Sequence, residues 1–333
     1  MKALLLMLAA SLPLKLWPAV EPQMAVVATE QREGYTCQLV EYNVPDGDRV
    51  QSYLLVPDTA TEKCPRPGLV LLHDHGARFD IGKEKLVRPL ADAPDYIKVS
   101  AAEWVADGFD GVYFGDRLAR EGFVVLVPDV LYWGSRSSAK CREWSRTRSK
   151  ELKKEVYEGQ RAVYDSLQRK GIVWAEKTLN EDAAAARLLA SLPFVKAQET
   201  GCFGWSMGAH RAWLLAAFCD EVKSGVALCW MTLKRTQAQP PSASDYSMMI
   251  PALREQYDFP DIARSLSPKP FLFLSGTTDK LFPREATQEA FERMQAIYRE
   301  NSATGALRTE FFEGGHHCGL REQQTIIHFF KHD

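Results

Sequence analysis

The alternation of apolar and polar positions divides the chain into short strand-like runs separated by stretches of helical period. Cys37 to Val44 alternates, Pro45-Asp46-Gly47-Asp48 reads as a turn, and Arg49 to Val56 alternates again, which predicts an antiparallel hairpin. Further on the alternation stops. Gly68 to His73, Gly122 to Asp129, Gly225 to Met231 and Pro270 to Gly276 are continuous apolar runs, the mark of strands covered on both faces, and Leu307 to Glu313 reads as a last strand. Helical spacing runs through Gly115 to Glu121, Glu176 to Leu192 and Met207 to Cys219, while Ala77 to Phe114 reads as a long loop with some helix. Strands and helices in this order predict an α/β domain over residues 35–333, with a mostly parallel sheet, helices on both faces and the hairpin at its N-terminal side. Residues 138–170, charged and helical in period, are expected to be an insertion forming one wall of a pocket.

Composition changes this picture little. A chain of 333 residues with 46% hydrophobic content is long enough for a large core, and with a net charge of -2 and basic residues scattered apart from a cluster from Lys140 to Lys154, nothing points to a nucleic-acid or membrane-surface partner, and none is expected. Seven cysteines are an odd number; Cys37 and Cys64 are the pair a disulfide would join in an oxidising compartment. Lys2 followed by the apolar stretch Ala3 to Leu14, with Val26-Val27-Ala28 behind it, reads as a signal peptide over residues 1–28 and predicts a periplasmic or secreted protein. Lys15 and Glu21 fit instead a start at Met24 and a cytoplasmic protein. No later stretch is long and apolar enough to span a bilayer, so no membrane span is expected in the mature chain.

The candidate chemistry centres on Gly204-Trp205-Ser206-Met207-Gly208, where an apolar run passes into a helical segment. Gly-x-Ser-x-Gly between strand and helix is a nucleophile elbow: the serine occupies a sharp turn, and the glycines stand where a side chain would strike neighbouring backbone. A helix starting at the serine points its first amides at a developing oxyanion. An acid and a base should then follow at later strand ends. Asp279 comes directly after the run ending at Gly276, and Gly314-Gly315-His316-His317 comes directly after the last strand. Adjacent loop residues point in different directions, so one of His316 and His317 can serve Ser206, and His316 is preferred. A zinc reading of His73, His75, His316 and His317 is disfavoured, because no His-Glu-x-x-His helix is present and a serine nucleophile needs no metal.

These motifs resemble the α/β-hydrolase superfamily and, within it, the dienelactone-hydrolase-related bacterial esterases that include acetyl xylan esterases. The likeness covers Val50 to the C-terminus and rests on Tyr53-Leu54-Leu55-Val56-Pro57, His73-Asp74-His75-Gly76, Gly82-Lys83-Glu84-Lys85-Leu86 and Val127-Pro128-Asp129. The elbow, Cys229-Trp230-Met231-Thr232 and the Asp279 and His316 segments complete it. The resemblance implies Ser206 as nucleophile, His316 as base and Asp279 as orienting acid, with an oxyanion hole formed by the Met207 amide and an amide of the loop after His73. By position that second donor is His75. Similar enzymes have His-Gly where this chain has His73-Asp74; without glycine's freedom the donor could shift to Gly76 or Ala77, and a carboxylate near the oxyanion would oppose negative charge.

The resulting expectation is a serine carboxylic-ester hydrolase working through an acyl-enzyme, without metal or cofactor, on a small-molecule or carbohydrate ester. Trp133, Trp230 and His317 are candidate substrate-lining residues, and bulky indoles there favour short acyl groups, acetyl above all. A peptidase or thioesterase on the same scaffold and a non-catalytic binding protein are the competing classes.

Overall fold

The structure, a computed structural model, describes residue 14, residues 16–237 and residues 243–332. Its frame is a nine-stranded sheet of order β1-β2-β3-β5-β4-β6-β7-β8-β9. The strands are β1 (Met24–Arg32), β2 (Tyr35–Asn43), β3 (Arg49–Pro57), β4 (Arg66–Leu72), β5 (Val124–Pro128), β6 (Val195–Trp205), β7 (Ser224–Leu228), β8 (Phe271–Gly276) and β9 (Leu307–Phe312). β1, β2, β3 and β5 pair antiparallel in turn, and every other pairing is parallel. β4 is bonded to β5 on one side and β6 on the other, so the chain leaves β4 in one direction and later returns to its opposite flank. Such a reversal opens a crevice at the carboxyl ends of the two strands, and those ends are His73 and Ser206.

The helices are α1 (Asp95–Gly108), α2 (Phe114–Arg120), α3 (Ala139–Thr147), α4 (Lys150–Arg169), α5 (Trp174–Ser191), α6 (Met207–Phe218), α7 (Pro251–Glu255), α8 (Ala263–Leu266), α9 (Arg284–Glu300) and α10 (Leu320–His332). The unbroken apolar runs are explained by burial on two sides. Val70 and Leu72 of β4 pack with Leu179 and Leu189 of α5 and Leu215 of α6, whereas Leu69 and Leu71 pack with Leu118 of α2 and Ile326 of α10. A third cluster, rich in aromatic residues, ties the helical segment α3–α4 to the sheet through Phe79, Trp133, Trp144, Val156 and Trp174.

Where the sequence reading was coarse, packing supplies the detail. The region expected to be mostly loop, residues 77–114, contains the fourteen-residue helix α1, whose apolar positions Ala101 and Val105 are separated by exposed ones and give a weak pattern. The strand β1 was not foreseen, because it is an edge strand with Val26 and Val27 exposed. Met24 and Ala25 pair with Tyr42 and Glu41, so the boundary expected at residue 28 falls inside a paired strand and the sheet already begins at Met24. The expected leader core lies, except for Leu14, outside the described residues. All seven cysteines are free, with Cys37 buried in β2 and Cys64 exposed. Among the described residues no helix is long and apolar enough to cross a membrane.

The glycines with the least room for a side chain lie at the elbow. A Cβ on Gly204 would stand 1.9 Å from Gly208 O, and one on Gly208 would stand 1.8 Å from Leu72 O. Both obstacles are backbone, which cannot swing aside, so β6, α6 and the end of β4 meet only with glycine at both positions. Gly208→Ala is therefore expected to lose at least about 3 kcal/mol of stability, the upper range for overpacking. Chemical denaturation checks this, and a midpoint indistinguishable from wild type would contradict the packing described.

Candidate active site

Ser206 sits between β6 and α6 with φ 57° and ψ -123°, a backbone conformation that costs a non-glycine residue on the order of 1–3 kcal/mol. The turn is held by Ser206 N–H donating to Leu228 O (2.9 Å) and by Ala209 N–H donating to Ser206 O (2.8 Å). Because Met207 is the first residue of α6, its amide has no preceding turn of helix to serve. Arg211, one turn on, makes a two-pronged ion pair with Asp182 of α5 (2.9 and 2.7 Å) and reaches His73 O (3.3 Å), fastening the elbow helix to its neighbours.

Asp279 and His316 meet because the loops after β8 and β9 are joined by backbone hydrogen bonds. Thr277 N–H donates to Phe312 O (2.9 Å) and Thr278 N–H to Gly314 O (2.8 Å). Asp279 is buried and uses both oxygens: Oδ1 accepts from Leu281 N–H (2.8 Å), and Oδ2 lies 2.8 Å from His316 Nδ1. The contact takes up the Nδ1 side of the His316 ring. Its ring is held between Trp205 (5.4 Å between centroids) and Phe282 (5.9 Å, stacked). The neighbouring His317 faces elsewhere, its Nε2 lying 2.9 Å from Asp110 Oδ1 in a half-exposed pair.

The loop after β4 is clamped from behind. His73 Nε2 accepts from Val130 N–H (3.3 Å), which leaves Nδ1–H to donate to Asp74 O (3.0 Å). Burial, with help from Arg211 and Lys85, pushes the His73 pKa well below the usual range, so the ring is neutral. His75 is likewise held neutral, its pKa pushed down to about 3 by burial and by Lys85, and its Nδ1 accepts from Ala77 N–H (3.2 Å). The Lys85 ammonium donates to Asp74 O and His75 O, each at 2.8 Å, and Trp133 Nε1–H donates to His75 O at 2.9 Å. The Asp74 carboxyl is farther from Lys85, at 3.5 Å; burial raises its pKa while the ammonium pulls the other way. Lys83 anchors the same segment to the end of β5 through Asp129 (2.8 Å). Burial would raise the Asp129 pKa, but the Lys83 charge and several hydrogen bonds outweigh it and hold it low.

Ser206 and His316 open on one cavity of about 470 Å³. Asp74, His75, Gly76 and Ala77 line one side, Trp205, Trp230 and Phe282 another, and Tyr157 of α4 contributes a further wall. Of the residues expected to line a substrate, Trp230 stands on the wall of this cavity. Trp133 does not: it is fully buried behind His75, 4.9 Å between ring centroids, where it supports the loop instead. His317 is also off the wall, drawn away by Asp110. Sequence reasoning missed the ring-holding roles of Trp205 and Phe282 and the loop-holding role of Lys85. The signal for the last was two lysines in Gly82-Lys83-Glu84-Lys85 beside a run otherwise destined for the interior.

Known proteins of similar sequence and shape agree with this architecture. The chain is 25% identical over 291 residues to YtaP of Bacillus subtilis (strain 168), named as a candidate hydrolase, a match covering 86% of this chain and 84% of that protein. A candidate acetyl xylan esterase from Bacteroides fragilis NCTC 9343 has a TM-score of 0.66 at 16% identity, covering 93% of this chain and 74% of that one. A glucuronoyl esterase from Solibacter usitatus has a TM-score of 0.62 at 13% identity, covering 99% and 91%. Residues 104–325 match the dienelactone hydrolase family. The chain belongs to that family, and its sheet of parallel strands with an antiparallel N-terminal edge is an α/β-hydrolase fold.

Proposed function

We propose that this protein is a serine esterase in which Ser206 is the nucleophile, His316 the general base and Asp279 the group that orients the imidazole. The observation that carries the reading is the 2.8 Å contact of His316 Nδ1 with Asp279, made beside the same cavity that Ser206 enters from a left-handed elbow. Serine hydroxyl is a weak nucleophile, so Nε2 of His316 takes its proton as Oγ bonds to the ester carbonyl carbon. The carbonyl oxygen becomes an oxyanion facing the Met207 amide and the loop after His73. Collapse breaks the ester C–O bond, the proton passes from Nε2 to the departing alkoxide, and an acyl-enzyme remains. Water, deprotonated by the same imidazole, then attacks the acyl carbon and releases the acid and Ser206.

The substrate reading is a short acyl group, acetyl above all, on a polar alcohol such as a carbohydrate. Two things support it. The cavity combines bulky rings near Ser206, from Trp205, Trp230 and Phe282, with the polar groups of Asp74, Gln237 and Asp245. Of the structural relatives named above, the Bacteroides protein is named as a candidate esterase for an acetylated carbohydrate, which supports both parts of the reading, while glucuronoyl names a sugar acid on the acyl side and supports only a carbohydrate ester. Expected kcat/KM for acetyl esters exceeds that for octanoyl esters of the same alcohol by at least about tenfold, the equivalent of about 1.4 kcal/mol. A rise with chain length, worth up to about 1 kcal/mol per methylene in a groove that fits it, would exclude the short-acyl pocket.

A further inference from the structure

We infer that Lys85 is a positioning residue for the oxyanion hole, clamping the carbonyls of Asp74 and His75 so that the amides of His75 and Gly76 are turned toward the cavity. The inference rests on the serine-esterase reading and adds to it a part outside the triad. In a trans peptide the C=O and the N–H of the same unit point in opposite directions. The unit joining Asp74 to His75 and the one joining His75 to Gly76 both aim their oxygens at Lys85 Nζ, at 2.8 Å each. Their N–H groups therefore point away from Lys85. Lys85 is wholly buried behind the loop, whereas Asp74, His75 and Gly76 line the cavity.

The arrangement is over-determined. His73 Nδ1–H adds a second donor to Asp74 O, and Trp133 Nε1–H adds a second donor to His75 O. An ammonium has three N–H donors, and three acceptors lie within reach of this one: the two carbonyls and, more distantly at 3.5 Å, the Asp74 carboxyl. The order of distances matters. Were Lys85 only a counter-ion for Asp74, the carboxyl would be its nearest partner; instead the peptides are. Two consecutive amides set on one side of a loop form a concave anion site. Asp74 also finds its place here, since a carboxyl beside the ammonium makes the buried set neutral and removes the charge that would oppose an oxyanion.

The test uses full-length protein with a nitrophenyl acetate substrate. Lys85→Met is expected to lower kcat by about 100-fold, in the range of losing an oxyanion donor, with KM changed less than about threefold. A loss of packing alone would not confine itself to kcat. Because Lys85→Met leaves the Asp74 carboxyl without a partner, Lys85→Met with Asp74→Asn serves as the variant that folds without either charge, and the same kcat loss is expected of it. A third measurement needs no variant: in the wild-type enzyme phosphorylated on Ser206 by an organophosphate, a phosphoryl oxygen is expected within about 3.1 Å of Met207 N and of His75 N or Gly76 N. Retention of kcat within about threefold in either folded variant, or a phosphoryl oxygen turned away from those two amides, overturns the inference while leaving the triad reading intact. Failure of wild-type protein to hydrolyse esters or to be labelled on Ser206 overturns both.

Discussion

Ser206→Ala is expected to lower kcat for ester hydrolysis by about four to six decades with the fold intact, the loss that follows removal of a nucleophile from a triad. The prediction separates chemistry from structure for a specific reason. Ser206 has φ 57°, and alanine meets the same left-handed cost there as serine, so the strain of the turn is carried over unchanged. The turn itself is made by backbone, through Ser206 N–H to Leu228 O and the helix bonds to Ser206 O, none of which needs the hydroxyl. The melting temperature should therefore stay within a few degrees of wild type. Substrate should still enter the cavity with its ground-state contacts preserved, and a fluorophosphonate that labels wild-type enzyme should not label the variant. Activity within about tenfold of wild type would defeat the nucleophile assignment. It would also revive the non-catalytic reading.

The parts of this site that were legible in the sequence are those set by local rules. An apolar run ending in Gly-x-Ser-x-Gly fixes its own geometry, since backbone atoms 1.8 and 1.9 Å from a hypothetical Cβ leave no alternative to glycine. Asp279 and His316 could be picked out because loops at the carboxyl ends of parallel strands converge, whatever the intervening helices do. The paired strands β2 and β3 were legible from period-two alternation for the same local reason. What was not legible depends on neighbours far apart in sequence. Trp133 looked like a cavity wall because it follows a strand end, yet its indole N–H is spent on His75 O, 58 positions away. The edge strand β1 lacks a core face of its own and is defined by pairing with β2. Asp74 read as a liability because its partner Lys85, eleven residues on, lies in a motif whose spacing says nothing about direction.

His316→Ala is expected to be as damaging as Ser206→Ala, while His317→Ala stays within about threefold of wild type, the difference between a group inside a cooperating triad and one outside it. Adjacent residues with identical side chains are separated here by their partners. His316 Nδ1 is taken by Asp279, a buried carboxyl already fixed by Leu281 N–H, and its ring is held between Trp205 and Phe282, so Nε2 has one orientation. His317 is paired with Asp110 at 2.9 Å, where both side chains are half-exposed and water screens the contact. Its removal should cost at most about 1 kcal/mol of stability. Asp110 remains anchored in any case, since its Oδ2 accepts from Leu320 N–H at the start of α10. A sharper form of the test uses the combined variant. If Ser206 and His316 act as one unit, Ser206→Ala with His316→Ala should be no slower than either alone, because the second substitution removes a proton acceptor that has nothing left to activate. Additive losses would mean that the two residues act independently, and a severe His317→Ala beside a mild His316→Ala would move the base one residue along the loop and require the Asp110 contact to break during turnover.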